Sequence, residues 1–445
     1  MIREDTPSLS LSSSVSASTQ SFSSLSNLPP HHSALSSANG PTQHLWLQEL
    51  RSEERGLYLI QLLLSCANAV ACNNMEYSNV FLEQLTLLAS LTGDPMQRVA
   101  TYFMEGLAAR ITKSWPGVYR ALNSTQLPSI VDMLSARQVF FSVCPYLKFA
   151  FLTVNQAILD AMEGEKVVHL IDLEASDPVQ WLALLQALSV RPGGPPHLRI
   201  TGVSERRAVL EQTGQRLSIE AEKLDIPFQF HPVHAQLENL DIELLRVKTG
   251  EAVAISSVMR LHPLLAKDSR FSGSGGQPSS FDGSPAHEAS GGAIDQVLRT
   301  LRCLSPKVMV VVEQESSHNG PTLLERFIEA LHYYCAMFDS LDSTLPQQCP
   351  ERVTLEKHLF GQEIKNIVAC EGVERVERHE KLEKWRKRME NAGFQMLVLS
   401  QPTVLQAKRL LHCYACDGYR LLEKDGCLTL CWQDTPLYSA SAWHA

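Results

Sequence analysis

The sequence predicts a doubly wound α/β core joined to an all-helical subdomain. Three observations lead there. Lys166-Val167-Val168-His169-Leu170-Ile171-Asp172-Leu173 is a short, apolar run rich in β-branched residues, the pattern of a strand buried on both faces. Trp181, Leu184, Leu185 and Leu188 then follow at helical spacing, Pro192 to Pro196 stops the helix, and Leu198 to Val203 restarts a strand. That is a βαβ unit, whose crossover is normally right-handed. Upstream, leucine stripes at helical spacing run without an intervening strand pattern.

The totals narrow the function classes. The chain has 445 residues, a formal charge of −9 and a pI of about 5.9. That balance argues against direct binding to duplex DNA. No stretch of about 18 consecutive apolar residues occurs, so no membrane span is expected. The start, Met1-Ile2-Arg3-Glu4-Asp5, lacks the basic-then-apolar pattern of a secretory signal. The 11 cysteines are scattered through predicted core segments and read as reduced core residues.

In chain order, residues 1–44 are Ser-rich without periodicity and read as a disordered tail, or as a phosphorylated or partner-folding segment. Leu57, Ile60, Leu63, Leu64, Ala67 and Val70 mark the first helix, and Leu82, Leu85 and Leu88 the next. Asp94-Pro95-Met96-Gln97 is a helix start, followed by Val99, Phe103 and Leu107. One helix is expected over 136–163, through Phe140, Leu147, Phe151, Val154 and Ile158. These stripes read as core, or as one exposed stripe that pairs with another protein. Leu59 to Leu63 and Leu261 to Leu265 match LxxLL, which carries little weight in so leucine-rich a chain.

In the central unit, Asp177 is expected to cap a helix with Pro178 first inside it and Gln180 reaching back. A helix over Arg207 to Leu224 and strands over Pro227–Val233, Ala252–Val258 and Pro306–Glu313 follow. Residues 267–292 are Gly/Ser-rich and read as a flexible insertion. Helices are expected over Pro321–Phe338 and from Val353. Arg375 to Glu390 alternates charge. Glu377 with Lys381, Glu380 with Lys384 and Glu383 with Lys387 sit four apart, which predicts a solvated helix face or a docking site. Lys384 to Arg388 is also a weak nuclear-import signal. A strand over Gln395–Ser400, a helix over Val404–His412 and a hairpin over Asp425-Gly426 end the pattern, with Tyr438 to Trp443 as the last strand. Parallel strands followed by an antiparallel hairpin are the element order of the methyltransferase-like version of the fold.

A doubly wound sheet holds its ligand at the carboxyl ends of its strands. Here that corner is Asp172-Leu173-Glu174-Ala175-Ser176-Asp177, without the glycines that let backbone approach a dinucleotide or S-adenosylmethionine. The sequence describes a cofactor fold whose cofactor loop is filled in, with Asp172 capping or bracing the loop. His169 reads as a satisfied core histidine. Cys413, Cys416, Cys427 and Cys431 superficially resemble a zinc site, but Cys427 and Cys431 share a strand face and their gap is short. Gly-rich phosphate loops, HExxH and GxSxG do not occur.

Taken together, these segments resemble the plant GRAS proteins, most closely the subgroup called scarecrow-like protein three, from about Arg55 to Ala445. Val168-His169-Leu170-Ile171-Asp172 matches the VHIID box with Leu in the middle. Pro306, Phe327 with Tyr333 and Tyr334, and Arg375-Val376-Glu377 look like the PFYRE region. Trp385 to Gly393, and Trp432 to Trp443 with Ser441-Ala442-Trp443, look like the SAW region. The implied organisation is a GRAS domain over 45–445: a leucine-rich helical cap (55–118), a VHIID region (136–203), a second leucine-rich region (211–243), a PFYRE region (252–368) and a SAW region (371–445).

The resemblance implies a Rossmann-like core under a helical cap. It implies a transcriptional co-regulator in the nucleus, with the cytoplasm also open, and no catalytic, cofactor or metal residues. Its implied partners are other GRAS proteins, including the DELLA type, and zinc-finger transcription factors, in homo- or heterodimers with indirect DNA contact. Gibberellin signalling and root development are the implied settings, with a modulator role because no DELLA-type N-terminal motif is present. The alternatives are a small-molecule binder or methyltransferase-like protein, and a direct DNA binder.

Overall fold

A computed structural model describes residues 50–123, 130–175, 177–268, 292–346 and 348–445. The Ser-rich tail, Ser176 and nearly all of the Gly/Ser-rich insertion lie outside the described residues. The chain divides into two compact units. One comprises the described residues up to Val143, Gly320–Cys370 and Trp432–Thr435. The other comprises Cys144–Asn319, Glu371–Cys431 and Pro436–Ala445.

The first unit is helical. Helix Ser52–Ala71 buries Leu59, Leu62, Leu63, Cys66 and Val70 along one stripe. Both LxxLL matches are therefore core: Leu59, Leu62 and Leu63 here, and Leu261, Leu264 and Leu265 in the other unit, are all buried. Helix Pro95–Lys113 starts where the sequence placed it. Asp94 accepts from the Gln97 amide at 2.9 Å and Gln97 Oε1 accepts from the Asp94 amide at 3.1 Å, a complete capping box. Its Phe103 meets Phe327 of helix Leu323–Thr344 edge-on at 5.1 Å. Fully buried Arg98 binds Asp342 at 2.8 Å and Glu356 at 3.0 Å, so this cation is paired where an unpaired one would be very costly. Glu356 opens a π-helical turn, Glu356–Phe360, between helices Pro350–Leu355 and Gly361–Ala369.

The helix expected over 136–163 is two helices, Ile130–Val143 and Tyr146–Ala161. They part at Cys144-Pro145, because Pro145 has no amide to donate and its ring blocks the preceding turn. Apolar periodicity runs across the break, which hid it.

The second unit holds the sheet. Its strands are β1 (Val167–Asp172), β2 (His197–Ser204), β3 (Phe228–His234), β4 (Ala252–Val258), β5 (Val308–Gln314), β6 (Gln395–Leu397), β7 (Tyr419–Lys424), β8 (Cys427–Trp432) and β9 (Thr435–His444). The order is β3-β2-β1-β4-β5-β9-β8-β7, with β6 also on β9. β1 to β5 are parallel neighbours and β9 runs antiparallel to β5. This is the doubly wound, Rossmann-like arrangement the sequence predicts. Asp425 and Gly426 both take positive φ (50° and 78°), the turn that joins β7 to β8. Strand β6 stops at Leu397, short of the expected Ser400. Ser400 instead caps helix Gln401–Leu411, accepting from the Thr403 amide at 3.3 Å.

Two further local expectations fail for physical reasons. Helix Val179–Ser189 begins after Pro178, and Asp177 Oδ1 accepts from the Val179 amide at 2.9 Å. Gln180 does not reach back. It is buried and donates to Asn155 Oδ1 at 3.3 Å while its carbonyl accepts from Asn155 at 2.9 Å. The charged stretch is no solvated helix over its first half, because the helix starts only at Leu382. Arg375, Arg378, His379 and Glu380 are buried. Arg378 spans Arg375 O, Gly372 O and Asn319 Oδ1, each at 2.9 Å, and these charge-assisted bonds outweigh helix-face pairs of a few tenths of a kcal/mol. Of the three expected pairs, Glu383–Lys387 forms at 3.0 Å and Glu380–Lys384 is loose at 3.8 Å, while Glu377 stands 3.2 Å from His262.

Trp385 and Trp443 lie in one core with Ile171, Ile255, Leu298 and Met309. Trp443 Nε1 donates to Ser441 Oγ at 2.9 Å, so the buried indole is satisfied within its own strand. Trp443→Ala is expected to cost about 3–5 kcal/mol. Thermal or denaturant unfolding reads this directly, and a variant that melts with the wild type refutes it.

Candidate functional site

The carboxyl edge of the parallel strands is occupied by the protein's own groups. At the end of β1, Asp172 Oδ1 accepts from the Glu174 amide at 3.0 Å and Oδ2 from Trp181 Nε1 at 2.7 Å. The Leu173 amide donates to Ser256 O and the Ala175 amide to Val203 O, both at 3.1 Å, stitching the loop to β4 and β2. Leu173 and Ala175 are buried. Ala175 rests on Gly202 of β2, where an added Cβ would stand 2.6 Å from that of Ala175 and 2.8 Å from Phe230 Cζ. The glycine nearest this corner thus admits a side chain, not a ligand. Arg260 closes the outer side, pairing with Glu174 at 3.2 Å and Glu205 at 3.3 Å. The Leu173, Glu174, Ala175 and Val179 amides, which could otherwise help cradle a phosphate or carboxylate, are already engaged.

His169, on the opposite face of β1, is fully buried. Arg199 can only donate, so His169 Nδ1 accepts from its Nη2 at 3.0 Å. The ring proton is therefore on Nε2, donated to Thr201 Oγ1 at 2.8 Å. Glu251 stands 3.2 Å from Nδ1 but also pairs with Arg199. Burial first, then the Arg199 charge, pushes His169 down to about 4, so the ring is neutral.

Past the ends of β4 and β5 lies a second polar group. His262 Nδ1 is 2.7 Å from Glu313 Oε2, and Glu313 Oε1 accepts from the Leu261 amide at 2.8 Å. His262 Nε2 is 3.2 Å from Glu377 Oε2, and His379 Nε2 is 3.3 Å from the same oxygen. His379 Nδ1 meets His318 Nδ1 at 2.9 Å, and His318 Nε2 meets Ser316 Oγ at 2.7 Å. The His262 and His379 rings stack tilted at 4.2 Å. Burial would lower His262, yet Glu313 and Glu377 together lift it to about 10. Burial would raise Glu377, yet the two histidines hold it well below the carboxylate range. Burial lowers both His318 and His379.

The remaining motif residues distribute as follows. Val168, Leu170 and Ile171 are buried in β1. Pro306 precedes β5, and its carbonyl accepts from the Ala445 amide at 3.2 Å. Arg375 Nη1 donates to His318 O at 3.0 Å, so Arg375 and Glu377 both belong to the histidine group. Gly393 (φ 92°) ends helix Leu382–Asn391, with the Phe394 amide donating to Met389 O at 3.0 Å. Ala442 is buried in β9, opposite Val310. Phe327, Tyr333 and Trp432 lie in the helical unit, where Trp432 Nε1 donates to Asp339 at 2.7 Å. Sequence reasoning passed over His262, Glu313, His318 and His379. Only two traces existed, the His inside Leu261-His262-Pro263-Leu264-Leu265 and the His379-Glu380 step. Cys427 and Cys431 are buried on β8 and Cys413 is exposed. Among the described residues the donors that converge within 4.8 Å are His262, Glu377 and His379.

The fold and this edge define a Rossmann-like protein whose cofactor corner is closed from within. The GRAS domain family profile matches residues 59–444, and the chain belongs to that family. It is 52% identical to Scarecrow-like protein 3 of Arabidopsis thaliana, over 89% of this chain and 91% of that protein. It is 41% identical to DELLA protein GAI1 of Vitis vinifera, over 88% of this chain and 62% of that protein. The crystal structure of SCL7 from Oryza sativa superposes with a TM-score of 0.73 at 32% identity, covering 87% of this chain and 99% of that one.

The His169 geometry gives a pH dependence. Its folded-state pKa of about 4 lies below the ordinary 6.5, so the unfolded chain takes the proton first as pH falls. His169 should therefore contribute full stability above pH 6.5 and lose it down to about pH 4, by about 3 kcal/mol in all. His169→Gln should flatten this part of the acid limb in urea unfolding measured across that window. An unchanged slope refutes the assignment.

Proposed function

We propose that this chain is a plant transcriptional regulator in signalling and development that works by protein contact and performs no chemistry of its own. The closed corner after β1 carries this reading, because Asp172, Trp181, Ala175 and Arg260 occupy what an enzyme of this fold would leave open. Membership of the GRAS family supports it, as do relatives named as scarecrow-like and DELLA proteins. The chain acts in the nucleus, in gibberellin signalling and root development. Its partners are DELLA-type GRAS proteins and zinc-finger transcription factors, and it reaches DNA through them, in keeping with a charge of −9.

A partner face is available on the helical unit. Helix Pro116–Asn123 and the residue before it expose Trp115, Val118 and Leu122, 55%, 48% and 55% accessible and three to four residues apart. Val131, Met133 and Leu134 are exposed a short way on. The stripes between 55 and 110, by contrast, are mostly core, leaving Leu57, Leu87 and Leu91 outside.

Two measurements test this. In thermal-shift titrations of the full chain with S-adenosylmethionine, its demethylated product and a nicotinamide dinucleotide, the melting temperature should not move. A ligand at a hundredfold excess over its dissociation constant adds about 2.7 kcal/mol, so a saturable rise overturns the scaffold reading. Val118→Asp with Leu122→Asp should weaken co-precipitation with a DELLA-type GRAS protein at least tenfold, with the melting temperature unchanged because both residues are exposed. Undiminished capture removes this face from the proposal.

A further inference from the structure

We propose that His262, Glu377 and His379 form a binding site for a divalent metal ion of the zinc class, at the ends of β4 and β5. Their Nε2, Oε2 and Nε2 atoms converge within 4.8 Å of one another. The two nitrogen-to-oxygen separations are 3.2 and 3.3 Å. Donors about 2.0–2.1 Å from a tetrahedral ion lie about 3.3 Å apart, so two of the three donor–donor edges already have the length zinc coordination needs. Two imidazoles and a carboxylate are a zinc donor set, and they leave one further coordination position.

The surroundings point the same way. A metal-bound imidazole is normally held at its other nitrogen by a carboxylate or polar group. His262 Nδ1 is held by Glu313 at 2.7 Å, and His379 Nδ1 by His318 at 2.9 Å, itself anchored on Ser316. Both rings thus present Nε2 inwards. His379 is fully buried, and its Nε2 makes no hydrogen bond although Glu377 is 3.3 Å away. A buried polar atom without a bond is uncommon, and an ion accepting its lone pair accounts for it. Such an ion would tie the irregular segment 375–380 to the sheet edge. This role stands apart from the regulatory reading, because it concerns how the core is held together.

The test uses the purified full chain, stripped with a chelator and dialysed. Zinc(II) should rebind at one equivalent by elemental analysis and raise the melting temperature, and chelator should reverse the rise. Cobalt(II) should give visible bands of a tetrahedral nitrogen–oxygen site without the near-ultraviolet charge transfer of thiolate ligation. Cys413→Ser with Cys416→Ser should change neither result. His379→Gln should abolish stoichiometric binding. Glu313→Gln, which touches only the outer side of His262, should weaken it roughly 10–100-fold. If His379→Gln fails to fold, the wild-type stoichiometry and cobalt spectrum decide. No zinc retained by the wild-type chain, a thiolate spectrum, or full binding by a folded His379→Gln each overturns the site.

Discussion

Both oxygens of the Asp172 carboxylate are engaged within the fold, and much of the second unit depends on that. Oδ1 turns the chain by holding the Glu174 amide, and Oδ2 anchors helix Val179–Ser189 through Trp181. A hydrogen bond to a charged group contributes roughly 1.5–3 kcal/mol, and loss of either partner would leave a buried carboxylate undersatisfied. With Asp172 fixed, Leu173 and Ala175 fall into the core, and Gly202 must stay small to receive Ala175. One strand-end acid therefore sets the loop and the start of the crossover helix. The same bonds close the position that a doubly wound sheet ordinarily offers to a ligand.

The edge is not uniform. Over β1 and β2 it is sealed by backbone bonds and small side chains. Past β4 and β5 it holds one buried glutamate, a partly buried one and three buried histidines, all hydrogen-bonded or ion-paired to one another. Arg375 and Arg378 brace this second region by binding carbonyls, and 375–381 is irregular where its charge pattern reads as helix. Charged side chains near in sequence need not pair with each other when backbone acceptors and buried acids compete for them.

The fold was legible where a single local rule governed it. The buried runs of β1, β4 and β5, the Asp94 capping box and the Asp425-Gly426 turn lie where composition and spacing place them. The break at Pro145 was masked by apolar periodicity on both sides. Gln180 failed as a capping residue because Asn155, 25 residues earlier, competes for it. The histidine group was illegible for a stronger reason. His262, Glu313 with His318, and His379 come from three separate segments, and no spacing rule links them until the sheet brings β4 beside β5. Asp172 was readable as a loop brace because its partners are two and nine residues away.

This contrast bears on what the edge is for. A buried ion pair can often be replaced by apolar residues of similar volume with no loss of stability, so burying charge is seldom the cheapest way to fill space. Around Asp172 the polar groups are few, and each has an evident structural task. Around Glu377 there are more than packing requires: a carboxylate shared by two imidazoles, each fixed at its far nitrogen, with one inward nitrogen left without a hydrogen bond. Leucine would fill that volume more simply. Both rings are oriented towards one oxygen. The two halves of the edge have thus taken different physical courses, one closed by its own amides, the other keeping donors turned towards a common point.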